Sequence, residues 1–182
     1  VDPNAFGGFL LMIGALIANR SPVSLTAVTP IARLTGEYEV VAVHRDSPIA
    51  SMSELVERLQ RDPASVSWAG GAAGGTDHML VAMIARAAGA TFADLAYVAY
   101  AGGGLAQATL LGNQVTCGVS GYAGLAEQIA AGNLRALAIS APEPVPGIDA
   151  PTLHESGLAL DLVNWRGVFA APGISAAQRD AL

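Results

Sequence analysis

The sequence contains no lysine, a single cysteine and no apolar stretch of membrane-spanning length. All nine of its cations are arginines and the formal net charge is -6, so no basic stripe is available to neutralise a phosphate backbone, and nucleic acid is not expected as a partner. Cys117 stands alone, which excludes an internal disulfide and a cysteine-based metal cluster. His44 and His154 have no second ligand at metal spacing, so structural or surface roles are favoured for both and no metal or cofactor is expected. The longest apolar run, Phe6 to Ala18, is shorter than the roughly 20 residues a bilayer needs. Three glycines interrupt it before Asn19 and Arg20 end it, so it reads as buried backbone and the chain is not expected to span a membrane. Neither an initiator Met nor a signal peptide opens the chain, which therefore reads as a processed or trimmed segment.

What is present is apolar: 52% of the residues are hydrophobic and the mean hydropathy is +0.45. Much of this is Ala and Val in alternating segments, the pattern of a parallel sheet covered by helices on both faces, and so of an α/β protein. Val40 to Val43 reads as a strand. Asp46-Ser47-Pro48 turns out of it toward Ser51, which with Glu54 fits a capping box. Met52, Leu55, Val56 and Leu59 then recur at helical spacing opposite the charged Glu54, Glu57, Arg58 and Arg61. Three further strand, small-residue turn and helix cycles follow: Val66 to Ala69 with a helix from Asp77 to Ala88, Tyr97 to Tyr100 with a helix ending at Gly112, and Val115 to Val119 with a helix ending at Gly132. Leu134 to Ser140 is another strand, Pro142 to Pro151 reads as a linker, Thr152 to Ser156 as a capped turn closed by Gly157, and Trp165 to Ala170 as a strand. Ser175 with Gln178 opens a last helix.

Right-handed crossovers put every strand-to-helix turn on the same edge of a parallel sheet. The turns at Gly70 to Asp77, Ala101 to Gly104 and Ser120 to Tyr122 are therefore expected to converge where such sheets bind ligands, with helix N-termini presenting unpaired N–H groups that favour anions. The segment Gly70 to Gly75 has the glycine spacing of a phosphate loop but continues Thr76-Asp77 where that motif requires Lys and then Ser or Thr, so a nucleotide loop is rejected. A carboxylate or a polar solute is the acceptable guest. Several of these residues also have plain structural explanations: glycines tighten turns, Thr76 can cap its helix, and Asp77 suits the first-turn dipole. His78 can face solvent, the neighbouring loop or ligand. Tyr122 and Trp165 read as core or rim aromatics.

An enzymatic reading competes at one point. Ser120, Asp149 and His154 follow the chain order of a hydrolase triad, but Gly118-Val119-Ser120-Gly121-Tyr122 places its second glycine one position early for a nucleophile elbow.

The run Val66-Ser67-Trp68-Ala69-Gly70-Gly71-Ala72-Ala73-Gly74-Gly75-Thr76-Asp77-His78-Met79-Leu80 resembles the extracytoplasmic substrate-binding proteins of tripartite tricarboxylate transporters, the Bug or TctC-like family. Ser47 to Leu55, Val98 to Gly103, Leu110 to Val115, Ala131 to Ala138, Ala150 to Gly157 and Asn164 to Gly173 are similar to further family segments, in the same order. The resemblance implies a periplasmic-binding-protein type II-like fold, two α/β lobes that clamp a solute in the manner of a Venus flytrap. Residues 1–42 would form part of the first lobe, 43–140 the second lobe and 141–182 a return to the first, which would be incomplete in this chain. It also implies no enzymatic activity, an extracytoplasmic location, periplasmic or anchored to the cell surface, a small carboxylate ligand, and membrane permease subunits as partners. Carried over by position, ligand contacts would come from Gly70, Gly71, Ala72, Gly74, Gly75, Thr76, Asp77 and His78, from Tyr100, Ala101, Gly102 and Gly103, and from Ser120 and Gly121. Ala101 and Gly103 replace a Lys and a Ser of the family pattern, removing a cation and a hydroxyl from the cleft. A sensory module built on the same clamp would share these features.

Overall fold

Alternation of side chains across a pleated strand lets one strand serve two helical layers, and the central strands here do so. In the computed structural model of the chain, residues 28–182 are described; the apolar run Phe6 to Ala18 lies outside them. Strand β1 (Thr29–His44) is followed by helix α1 (Met52–Arg61), β2 (Ser67–Gly70), α2 (Thr76–Ala87), β3 (Ala96–Ala99), α3 (Gly103–Leu111), β4 (Cys117–Gly121), α4 (Tyr122–Ala130), β5 (Leu134–Ile139), β6 (Val163–Ala170) and α5 (Ala176–Ala181). Val41, Val43, Trp68, Cys117 and Val119 enter one buried cluster with Met52, Leu55 and Leu59 of α1 and Leu80, Val81 and Ile84 of α2. Val40, Ala42 and Ala69, one residue out of phase, enter the other with Ala106 and Leu110 of α3 and Leu125 of α4. Gly118 is what allows α3 to lie so close, since a Cβ there would stand 2.8 Å from Leu110 Cδ2. Gly118→Val is expected to cost about 1–3 kcal/mol or more by overpacking, readable as a lowered midpoint in urea denaturation.

The sheet runs β3-β2-β4-β1-β5, with β6 pairing β1 off this path. β2 is parallel to β3 and β4, as expected, but β1 is antiparallel to both β4 and β5. The expectation of an all-parallel sheet is thus corrected: a buried run such as Val40 to Val43 reads the same in either direction. β1 also begins at Thr29, well before Val40; its first half, Thr29 to Gly36, is mostly exposed and lacks an unbroken apolar run that would mark it as a strand.

By contact density the chain divides into two units. The larger comprises Glu37–Asn164; the smaller combines, among the described residues, 28–36 with Trp165–Leu182. Residues 141–162 thus lie in the larger unit, although the sequence reading returns the chain to its first lobe after residue 140. Ala141, Leu153 and Leu158 are buried, Leu153 and Leu158 within the α1–α2 cluster. The Ser140 hydroxyl accepts the Glu39 N–H at 2.9 Å and donates to the Leu162 carbonyl at 2.6 Å. In the smaller unit, Thr29 Oγ1 donates to the Ala171 carbonyl at 3.0 Å, and a complete capping box between Ser175 and Gln178 opens α5.

Helix ends follow the sequence closely. Ser51 caps α1 by accepting the Glu54 N–H, while Glu54 reaches back to the amide of Ala50 and not to that of Ser51, so the expected box is only half formed. Gly89 and Gly132 have positive φ just past α2 and α4, but after α3 the left-handed residue is Asn113, at φ 54°, and not Gly112.

Candidate functional site at the carboxyl edge

Because β2, β3 and β4 are parallel, their C-terminal ends share one edge of the sheet, and α2, α3 and α4 begin there. All three helices start on a glycine, Gly75, Gly102 and Gly121, and none has a side-chain cap. Helices α1 and α5 are both capped by serine hydroxyls. Since uncapped first-turn N–H groups need a partner, this edge collects donors that the fold elsewhere satisfies for itself. Gly102, at φ 152°, adopts a backbone that other residues rarely take.

The expected site residues fall into two groups. Tyr100 is tied to the first loop by its N–H, which donates to the Gly70 carbonyl at 2.9 Å, and Ala101, Gly102 and Gly103 are exposed beside it. Ser120 closes this side: a Cβ on Gly124 would stand 3.0 Å from its hydroxyl and one on Gly103 3.9 Å, so the hydroxyl lies between the heads of α3 and α4. Gly121 lies in register with Glu39 on β1, and the carboxylate of Glu37 occupies the space a side chain at Gly121 would need. This side has no acid in the first turn of α3 or α4, and the carboxylate beside it is that of Glu37 on β1.

The loop from Gly70 to His78 behaves differently, because its own side chains take up several of its amides. The Gly71 N–H donates to Asp77 Oδ2 at 2.7 Å, the Gly74 N–H to His78 Nδ1 at 2.8 Å, and the Gly75 N–H to the Ala72 carbonyl at 2.9 Å. Gly70 is a packing glycine, since a Cβ there would run into the Tyr97 hydroxyl, which donates to the Gly71 carbonyl at 2.9 Å. Thr76 follows the N-cap and does not supply it. His78 accepts through Nδ1, so its hydrogen sits on Nε2; burial holds its pKa below the usual value, and its ring centroid lies 4.4 Å from that of Tyr97, the two rings tilted by 41°.

Sequence reading did not single out Glu39. It is fully buried, and neither carboxylate oxygen reaches a partner at hydrogen-bonding geometry, although Thr76 and Asn164 lie near enough to ease its charge. Burial, and then the charge of Asp77, push its carboxyl up to about 8. Burial also raises Asp77, against the pull of the Gly71 amide and its own. Burial and these two acids raise the Tyr97 hydroxyl as well. The available signal was period two: Glu39 shares the face of Val41 and Val43, directed at α1 and α2.

Among the described residues no group of His, Cys, Asp and Glu could hold a metal ion, and no helix is long and apolar enough to cross a membrane. A groove of about 330 Å³ lined by Ser47, Arg58, Ser67 and Thr116 lies at the opposite ends of the strands. There Ser67 and Thr116 spend their hydroxyls on each other's backbone N–H groups. His154 sits 3.7 Å from Asp161, and no hydrogen bond among the described residues joins it or Asp149 to Ser120, so the triad is not assembled.

No curated protein sequence matches the chain. Among solved structures, a periplasmic transporter shares 26% identity over 92% of this chain and 56% of its own, with a TM-score of 0.78. The periplasmic binding protein BugD shares 26% over 84% of this chain and 51% of its own, at 0.72. MatC from Rhodopseudomonas palustris, solved with bound malate, shares 23% over 84% and 51%, also at 0.72. The chain thus spans about half the length of these structures, and its α/β fold is that of the periplasmic binding proteins. Residues 18–178 match the profile of the tripartite tricarboxylate transporter family receptors, TctC, over most of the sequence, and the chain belongs to that family.

Proposed function

We propose that this chain forms part of an extracytoplasmic receptor that captures a small carboxylate reversibly and delivers it to the membrane permease subunits of a tripartite tricarboxylate-type transporter, without a chemical step. Its two units are read as parts of the two lobes of such a receptor. The observation that carries the reading is the convergence of three glycine-started, uncapped helix N-termini on one sheet edge; those of α3 and α4, with no acid in their first turns, each contribute about 0.3–1 kcal/mol to holding an anion and more where partly buried. Gly102, Gly103 and Ser120 line that side of the edge, and the exposed glycines let a ligand reach the backbone. The malate held by MatC is of the same chemical class, as is the name of the family to which the chain belongs.

Titration calorimetry of the full chain with malate, adipate and citrate is expected to show micromolar binding of at least one of them. Ser120→Ala should weaken that binding about ten- to a hundredfold, the loss of one hydroxyl hydrogen bond to a charged group. Binding no tighter than millimolar across the panel would refute the reading. The triad geometry gives no support to hydrolysis at Ser120. A sensory role would use the same site and differs only in the protein that the loaded receptor docks against.

A further inference from the structure

We propose that Asp77 is an internal stand-in for a solute carboxylate, occupying the Gly71 amide while the site is empty, and that Glu39 beneath it is the positioning residue that receives Asp77 when a solute takes that amide. This rests on the carboxylate-binding reading above. The Gly71 amide is aimed by more than Asp77, because Tyr97 holds the Gly71 carbonyl through its hydroxyl at 2.9 Å. The donor would keep its direction if Asp77 left. Asp77 is only partly buried, and the loop beside it is open at Ala72 and Ala73, so a solute can reach this amide.

Glu39 supplies the independent observation. A fully buried carboxyl with neither oxygen at hydrogen-bonding geometry is costly in any state that leaves it so; its side chain already lies within reach of Asp77, and a turn of Asp77 onto it would give one of its oxygens a partner. One proton shared by two carboxyl groups makes such a pair favourable, as in other sites where like charges sit together. The groups facing the pair are Glu37 on β1, Thr76 and the neutral His78 on α2, Tyr97 on β3 and Asn164 on β6. A third carboxylate is then tolerated at the loop only while the pair keeps its proton, so affinity should rise as pH falls.

Calorimetry with malate, adipate and citrate on the full chain tests this through the direction of change. Asp77→Ala vacates the amide, and the carboxylate bound by wild type should bind at least fivefold tighter at pH 7. In Asp77→Asn, which keeps the shape but loses the charge, the gain should be smaller; it also serves if the Ala variant fails to fold. Wild-type affinity should increase severalfold from pH 8 to pH 6, and Glu39→Gln should flatten that slope while still binding. If wild type binds and both Asp77 variants bind equally or more weakly, or if Glu39→Gln keeps the wild-type slope, the stand-in is wrong and the receptor reading survives. If neither wild type nor any variant binds, both fail.

Discussion

Glu39→Gln is expected to make the protein more stable, and increasingly so as pH rises. A carboxyl whose pKa is raised in the folded state, here from 4.5 to about 8, favours the fold fully only while protonated in both states. Its contribution is complete below about pH 4.5 and is lost as pH climbs toward 8, at about 1.4 kcal/mol for each pH unit between the two values. Wild type should therefore lose on the order of 3 kcal/mol between pH 5 and pH 8 through this group and its partner Asp77, which burial shifts in the same direction. Gln keeps the volume and cannot ionise. Urea denaturation at pH 5 should find the two proteins within about 1 kcal/mol of each other, whereas at pH 8 the variant should be ahead by about 3 kcal/mol. A wild-type stability that rises across this window would contradict the assignment of a proton to Glu39.

Trp68→Ala should have the largest destabilising effect of any single core truncation in the larger unit. Trp68 is completely buried on β2, in register with Tyr97 on β3 and Cys117 on β4, and belongs to the cluster that joins α1 and α2 to the sheet. Its removal should cost about 3–5 kcal/mol in lost transfer energy and cavity. The indole N–H has no partner, and an orphaned buried donor costs about 1–3 kcal/mol. Trp68→Phe discards that donor while filling most of the space, so its loss should be much smaller, within about 2 kcal/mol of wild type. Urea midpoints separate the two variants. Equal losses for Ala and Phe would mean that the ring volume is not what holds the two helices to the sheet.

Much of this architecture was legible locally. Ser51 and Ser175 announced helix starts, Gly89 and Gly132 announced helix ends, and the strand, small-residue turn and helix cycle located α2, α3 and α4 with the loops that lead into them. These signals survive because caps, left-handed turns and helical periodicity are decided by neighbours a few residues apart. Burial beyond the proline-rich Pro142 to Pro151 was not legible, for the opposite reason: Leu153 and Leu158 are placed by contacts with α1, α2 and the sheet.

The candidate site divides along the same line. Gly70 to His78, Tyr100 to Gly103 and Ser120-Gly121 could be named from composition and from their resemblance to family segments, because each lies at the end of a recognisable strand. Which of their amides remain open could not, because Gly71 and Gly74 are engaged by Asp77 and His78 through turns whose geometry the letters do not specify. The direction of β1 and the burial of Glu39 beneath Asp77 were likewise settled only in three dimensions. A run of valines carries no sense of direction, and the pKa of a carboxyl depends on what surrounds it in space, not on what precedes it in the chain. Sequence alone determined the elements, the acidic character and the family; the tertiary structure decided which polar groups face one another, since those contacts join residues tens of positions apart.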